Sequence, residues 1–190
     1  NLWFSDEANA TATYGHIRDW NVSGVTDMSN AFKDRTTFNE DIGNWDVGNV
    51  TSFNSMFEGA TSFNQPIGDW NVSSVTNITA MFKNASSFNQ DISNWNVSSI
   101  TSLYRMFEGA TSFNQPIGDW NVSSVTNMYA LFKGATSFNQ PLANWNVSSV
   151  SDMQQLFKDA VSFNKPIGNW NVSSVTSLHR MFEGATSFNQ

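Results

Sequence analysis

The stretch GATSFNQPIGDWNVSSVT fills residues 59–76 and returns, letter for letter, at residues 109–126. Looser copies run through most of the chain at a constant interval of 25 residues. The interval is clearest in the tryptophans Trp20, Trp45, Trp70, Trp95, Trp120, Trp145 and Trp170. A fixed period predicts that each unit forms one coil of a stack, because a single unit is too small to bury its own apolar side.

The apolar pattern changes within each unit. Around Trp70, apolar and polar residues alternate, which is typical of a strand with one buried face. The next apolar residues follow at steps of one, three and four positions, which favours one face of a short helix; they are Val75, Ile78, Met81 and Phe82. Gly59 and its equivalents come next, where a left-handed residue ends a helix at little cost. The repeat therefore predicts an α/β solenoid similar to a leucine-rich repeat, a right-handed coil with a parallel sheet on one face and short helices on the other.

The ends of the chain differ from its middle. Residues 1–19 fit the repeat poorly, although Trp3 and Ala10 fall on apolar positions of the pattern. We expect these residues to form a degenerate coil that caps the stack. Residues 20–190 then hold seven repeats, the last one incomplete, in one solenoid domain. An uncapped final coil is expected to be covered by further repeats, another domain or an end-to-end dimer contact.

Composition narrows the classes of function. The net charge is −7, which argues against a nucleic-acid binder that relies on electrostatic attraction. The chain has no apolar run long enough to span a membrane and no cysteine. Its two histidines, His16 and His179, are far apart, and no phosphate-binding loop or nucleophile motif occurs. We therefore expect no enzyme activity, no cofactor and no metal site.

Short polar residues stand on both sides of each tryptophan, and we expect them to lie on the concave face of the sheet. They can form a solvated surface that keeps the sheet soluble, or a site for a glycan or peptide. Calcium, which prefers oxygen ligands, and an ice or mineral lattice are lesser alternatives. The candidate ligand-binding residues are Asp69, Asn71, Asn94, Asn96, Asp119, Asn121, Asn144 and Asn146.

Two adjacent positions of the predicted helix vary in almost every unit. They carry residue types that anchor protein interfaces in the C-terminal half of the chain. Neutral variation of an exposed surface and a partner site on the convex side both explain this pattern. The candidate partner-binding residues are Tyr104, Arg105, Tyr129, His179 and Arg180.

Two other recurring positions favour a structural role. The asparagine after each repeated phenylalanine, such as Asn64, is expected to bond to backbone groups of adjacent coils, because buried loop backbone needs partners. Another position alternates in sign through Lys33, Glu58, Lys83, Glu108 and Lys133. Such a row of opposite charges favours the correct stacking register, although each exposed pair is worth only about 0–1 kcal/mol.

The motif F-N-Q-P-I-G-D-W-N-V-S-S-V-T-x-M-x-x-M-F-x-G-A resembles a repeat of bacterial surface proteins, a domain of unknown function of the Mycoplasma and Listeria type. It is also similar to the BspA class of leucine-rich repeats. The resemblance covers about residues 17–190 and implies an extracellular, cell-surface location within a longer secreted or anchored protein. It further implies an adhesive role toward a host, matrix or neighbouring-cell protein or glycan, and no catalytic residues. The alternative is a structural spacer with no ligand of its own.

Overall fold

The computed structural model describes residues 2–190. Three helical elements precede the repeats: α1 (Leu2–Ser5), α2 (Glu7–Tyr14) and a 3₁₀ helix (Ile17–Asp19). The Asp6 side chain caps α2, because it accepts a hydrogen bond from the Asn9 N–H at 3.0 Å, a common way to satisfy a free donor of the first turn.

The N-terminal helices pack on the first coil of the stack. Trp3 is buried and meets the Trp20 ring edge-on, with 5.8 Å between ring centroids. Phe4 contacts Phe32 and Phe38 in the same edge-on way, at 6.0 and 6.1 Å. The sequence predicted a degenerate copy of the repeat in residues 1–19, and the structure has short helices there. Asn1, the first residue of that predicted cap, lies outside the described residues.

The repeats contain neither a sheet nor helices within the described chain. Neighbouring coils are paired through isolated parallel bridges of one residue each: Asp27–Ser52, Ser52–Asn77, Ser102–Asn127, Asn127–Asp152 and Asp152–Ser177. The three helical elements all precede residue 20. The predicted α/β solenoid, with a parallel sheet on one face and short helices on the other, is therefore wrong, and the terms concave sheet face and convex helix face do not apply.

The predicted helix is a run of turns that bonds to the next coil. Ala80 and Asn84 have φ values of 54° and 58°, in the left-handed region that a right-handed helix excludes. The Met81 N–H donates to the Ile78 carbonyl at 3.2 Å, whereas the Ala80 N–H donates to the carbonyl of Tyr104 in the next coil at 2.9 Å. Backbone donors thus alternate between their own coil and the neighbouring one, whereas an α-helix keeps all of them within one segment.

The predicted strand is also replaced by turns. The Trp70 N–H donates to the Ile67 carbonyl at 3.2 Å, and the Val75 N–H donates to the Val72 carbonyl at 3.0 Å. Two tight turns therefore flank the W-x-V segment. Buried and exposed side chains do alternate in this segment, as predicted. The alternation arises from the turns, because within the described chain the segment forms no β-sheet hydrogen bonds with the adjacent coils.

The left-handed conformation predicted for the glycines is confirmed, although no helix precedes them. Gly59 and Gly109 have φ values of 71° and 69°, which glycine adopts without strain. A Cβ atom on Gly109 would collide with Asn84 Oδ1 of the preceding coil. Glycine adopts this backbone conformation without strain and also leaves space for the Asn84 side chain.

Aromatic rings build the core. Phe82 stacks on Phe88 of its own coil with 3.8 Å between ring centroids, and on Phe107 of the next coil at 5.8 Å. The same contacts recur in every repeat, so two continuous columns of phenylalanine run through the stack. Parallel, offset rings in such columns add about 0.5–1.5 kcal/mol per pair to the burial of their surface.

The tryptophans lie beside the phenylalanine columns and are buried from Trp45 to Trp170, as the sequence predicted, whereas Trp20 in the first coil is half-buried. Trp95 is 4% exposed, and its Nε1–H donates to the carbonyl of Ile67 in the preceding coil at 3.1 Å. The same bond recurs at Trp45, Trp70, Trp120, Trp145 and Trp170. Each indole therefore fills the core and also adds a hydrogen bond between coils to a carbonyl that already accepts a backbone N–H of its own coil.

The asparagines after phenylalanine form an unbroken ladder, which confirms their predicted structural role. Asn89 Oδ1 accepts the backbone N–H of Asn114 at 2.9 Å, and Gln115 Nε2 donates to the same oxygen at 2.8 Å. Equivalent side-chain-to-backbone bonds join each coil to the next from Asn39 to Asn189. The amide row thus links the turns of all the repeats.

We expect Asn89→Ala to destabilise the protein by about 1–3 kcal/mol, because it leaves the half-buried N–H of Asn114 without its acceptor. Urea unfolding measures this loss. Asn189→Ala is the matched control, since Asn189 keeps its own N–H bond to Asn164 Oδ1 at 3.0 Å and lies in the last coil of the chain. The control should lose about 0.5 kcal/mol or less of its unfolding free energy. Equal losses in the two variants would contradict a stabilising role of the asparagine ladder.

Candidate recognition surfaces

The residues on either side of each tryptophan, which we call the Trp-flanking row, are exposed. This holds for all eight candidates of the predicted ligand-binding set: Asp69, Asn71, Asn94, Asn96, Asp119, Asn121, Asn144 and Asn146. The structure therefore confirms that they face solvent while the indole between them is buried.

Half of the Trp-flanking row is used within its own coil. Asn71 Oδ1 accepts the Ser73 N–H at 3.2 Å and the Ser73 hydroxyl at 2.7 Å. The same turn recurs at Asn96, Asn121 and Asn146. Asparagine favours such turns because its side chain replaces a backbone acceptor. These asparagines therefore have a local structural reason to recur.

Two residues of the other half of the row, Asp69 and Asn94, border a shallow groove between coils. This groove, of about 230 Å³, is also lined by Asp91. The Ser93 backbone N–H and hydroxyl both donate to the Asp91 carboxylate and lower its pKa. Within the described residues, no group of three or more His, Asp or Glu side chains is placed to hold a metal ion.

The partner-binding candidates Tyr104, Arg105 and Tyr129 meet in one cluster, which we call the Tyr–Arg patch. The two tyrosine rings stack with 5.2 Å between centroids. The Arg105 guanidinium carbon lies 5.0 Å from the Tyr104 centroid and 5.3 Å from the Tyr129 centroid. Gln155 Nε2 donates to the Tyr129 hydroxyl at 3.0 Å. All three patch residues are half-buried, so the cluster is held in one arrangement.

Arg105 stays charged in this setting. Partial burial works against its charged form, but the hydroxyl of Tyr129 and the carboxylate of Glu108 outweigh burial and raise its pKa. Arg105 Nε lies 3.4 Å from Glu108 Oε2. The patch therefore presents two aromatic rings and a permanent cation.

His179 and Arg180 lie apart from the Tyr–Arg patch. Both are exposed in the last coil, and Arg180 Nε pairs with Glu183 Oε2 at 3.2 Å. The coil that carries Gln155 stands between them and Tyr129, because the Gln155 N–H bonds to the His179 carbonyl at 2.9 Å. The sequence grouped all five candidates, but the structure brings only three of them together.

The row that contains Arg105 has an unusual backbone. All of its members adopt positive φ: Asn30, Ser55, Ala80, Arg105, Ala130, Gln155 and Arg180. Residues other than glycine adopt this region infrequently. The sequence placed them on a helix because only Asn30 among them is of a type that commonly signals a left-handed residue.

The predicted charge row is confirmed at three of its four steps between coils, while no ion pair joins Lys83 to Glu108 among the described residues. Glu58 lies 3.0 Å from Lys33 Nζ and 2.8 Å from Lys83 Nζ, and Lys133 pairs with Glu108 at 3.0 Å. Partial burial alone would raise the Glu58 pKa, but hydrogen bonds from Lys83, Lys33 and Ser55 lower it to about 2. Opposite charges in adjacent coils therefore stabilise the observed register.

The fold and its ladders define a protein of stacked 25-residue repeats, with a short helical cap at its N-terminal end. A family model described as "Mycoplasma protein of unknown function, DUF285" matches residues 3–116 and again residues 91–190. The chain belongs to this family, which confirms the resemblance to the Mycoplasma-type repeat. No curated protein matches the chain.

Within residues 2–190, no helix has both the length and the apolar character needed to cross a membrane.

We expect Glu58→Gln to lower stability by on the order of 1 kcal/mol at neutral pH, because it removes the charge that two lysines share. The folded-state pKa of Glu58, about 2, is below its ordinary value of 4.5. Its contribution is therefore present above about pH 4.5 and is lost as the pH falls toward 2. Urea midpoints from pH 7 to pH 2 should show the wild type and the variant converging in acid.

Glu183→Gln is the matched control for this series. Glu183 occupies the same repeat position, but its side chain is 45% exposed and lies in the last coil. Its removal should change the urea midpoint less at every pH. A difference between Glu58→Gln and the wild type that persists unchanged at pH 2 would contradict the ladder's electrostatic role.

Proposed function

We propose that the chain is a non-enzymatic recognition module of a cell-surface protein, which binds a protein or glycan partner through the Tyr–Arg patch. One observation carries this proposal. The position that carries Ser29, Asn54 and Thr79 in the first three repeats carries a stacked pair, Tyr104 and Tyr129, in the next two, with the Arg105 guanidinium against both rings.

The residue types and their packing both support binding. Tyrosine and arginine are enriched among the residues that contribute most to the energy of protein interfaces. Tyrosine rings also offer a flat apolar surface and a hydroxyl for carbohydrate or peptide groups. The patch is already ordered by Gln155 and Glu108, which reduces the entropy that a partner would have to remove on binding.

The scaffold supports the same function. Backbone bonds, the asparagine ladder and the phenylalanine columns hold each coil in a constant position relative to the next. A repeat stack of this kind offers an extended surface on which a few substituted positions can create a site. An extracellular location, as part of a longer secreted or anchored protein, is the setting that the family resemblance implies for such a module.

A spacer role is the second candidate, and a specific observation favours it. The Asn71 oxygen and its equivalents are committed to turns within their own coils, and the charge and asparagine rows are committed to contacts between coils. Much of the recurring polar surface therefore has a structural explanation. A spacer would have no need of the Tyr–Arg patch, and this is where the two functions differ.

The test uses residues that the repeat itself tolerates. A triple variant, Tyr104→Thr, Arg105→Ala and Tyr129→Thr, copies Thr79 and Ala80 at the same positions; Ala80 already has the positive φ that the Arg105→Ala substitution requires. The wild type is first screened against a glycan array and a panel of extracellular-matrix proteins. Any ligand found is then titrated by calorimetry with both proteins.

We expect the triple variant to lose binding by tenfold or more while its unfolding midpoint stays near that of the wild type. The matched control is His179→Thr with Arg180→Ala, which changes the same two positions outside the patch and should alter affinity less than about twofold. Unchanged binding in the triple variant would overturn the assignment of the patch. The absence of any ligand on both panels would favour the spacer.

A further inference from the structure

A second feature lies at the junction between the helical cap and the first coil, far along the stack from the Tyr–Arg patch. There the structure leaves a cavity of about 330 Å³. Its walls include the rings of Trp3, Phe4, Trp20, Phe32 and Trp45. This volume is at the lower end of the range for small-molecule sites, which are typically apolar with a few polar groups.

The cavity exists because the short helix α1 covers only part of the first coil. In an interior coil, the neighbouring repeat seals the core, so that Val47 and Phe53 are 1% and 0% exposed. In the first coil, the equivalent residues Val22 and Met28 are 8% and 6% exposed. Helix α1 has only four residues and does not fill the space that another 25-residue coil would occupy.

One charged group borders this apolar space. Among the described residues that line the cavity, Asp27 is the only ionisable one. The Ser29 N–H donates to Asp27 Oδ1 at 2.8 Å, and the hydroxyl and backbone N–H of Ser29 together lower the Asp27 pKa. Asp27 is therefore a carboxylate at neutral pH. It is exposed at the rim of the cavity, and its charge has no basic partner in the cavity wall.

The aromatic rings around the cavity meet at steep angles. The Trp3 and Trp20 planes are inclined by 84°, and the Phe4 and Phe32 planes by 81°. Rings set nearly at right angles form a corner in which a cation can approach more than one π-system. The same cluster already holds one cation on another side, because the Arg35 guanidinium lies 4.2 Å from the Phe4 centroid.

We propose that this cavity binds an organic ammonium ion with a small apolar body. The ammonium group would lie between the aromatic corner and Asp27, and the apolar body would cover Val22 and Met28. Aromatic surroundings with a single carboxylate select such a ligand for two reasons. A neutral apolar molecule gains nothing from Asp27, and an inorganic cation gains little from the apolar walls.

The test compares a cation with its neutral isostere. Choline and 3,3-dimethylbutan-1-ol have nearly the same shape and differ in the charged nitrogen, and benzyltrimethylammonium adds a larger apolar body. Each is titrated into the wild-type chain by calorimetry and by NMR of the indole N–H signals. We expect both cations to bind at least tenfold more tightly than the alcohol, with the signals of Trp3 and Trp20 shifting.

Two aspartate variants locate the site. Asp27→Asn keeps the turn acceptor and removes the charge, so choline affinity should fall by about three- to tenfold. Asp152→Asn is the matched control, because Asp152 occupies the same repeat position and accepts the Gln154 N–H at 2.9 Å, but lies five repeats away. It should leave choline affinity unchanged.

Three results of the titrations would overturn the proposal. They are equal affinity for choline and its neutral isostere, an equal loss of choline affinity in the two aspartate variants, or no binding of either cation at about 10 mM, which corresponds to a very weak affinity. Equal affinity for the alcohol would identify a merely apolar cavity. A second copy of the chain could instead close the cavity, and sedimentation of the unliganded chain tests for this. A dimer that buries Trp20 would be a fourth result that overturns the proposal.

Discussion

The structure depends on backbone hydrogen bonds whose acceptors alternate between the same coil and the adjacent one. In the segment after Thr76, one N–H bonds within its own coil and the next bonds to the adjacent coil. This alternation requires left-handed residues at regular intervals, such as Ala80. It also makes every coil depend on its neighbours, because half of the donors in the segment would have no partner in an isolated repeat. Stability is then a property of adjacent pairs of coils.

Side chains repeat the same principle at three further positions. The indole of Trp95 bonds to a carbonyl of the preceding coil, Asn89 bonds to an N–H of the following one, and Glu58 lies between lysines of both neighbours. Each contact is satisfied only when coils stand in the observed register. The invariance of tryptophan and asparagine along the chain therefore follows from stacking, and needs no ligand to explain it.

Both proposed sites are departures from the repeat. Tyr104, Arg105 and Tyr129 stand at variable positions of the repeat and form one ordered cluster. The N-terminal cap interrupts the stack itself and leaves an aromatic cavity beside Asp27. Both proposals therefore depend on places where one unit, or its neighbour, differs from the regular pattern.

The amino-acid sequence by itself determined the period, the family, the buried tryptophans, the asparagine ladder and the alternating charges. These follow from side-chain identity at a constant spacing of 25 residues, because residues at equal positions must be neighbours once the units stack. The sequence also indicated that the two positions of Tyr104 and Arg105 vary from unit to unit, whereas most other positions repeat.

Only the tertiary structure decided the backbone conformation and the grouping of the surface residues. The spacing of Val75, Ile78 and Phe82 is typical of a helix. In the stack, however, every second N–H group of this segment donates to a carbonyl of the adjacent coil, so no helix forms. Local pattern does not reveal such partners, because they lie a full repeat away in the chain. For the same reason, only the stacked structure separated His179 from Tyr129 and showed how little of the first coil α1 covers.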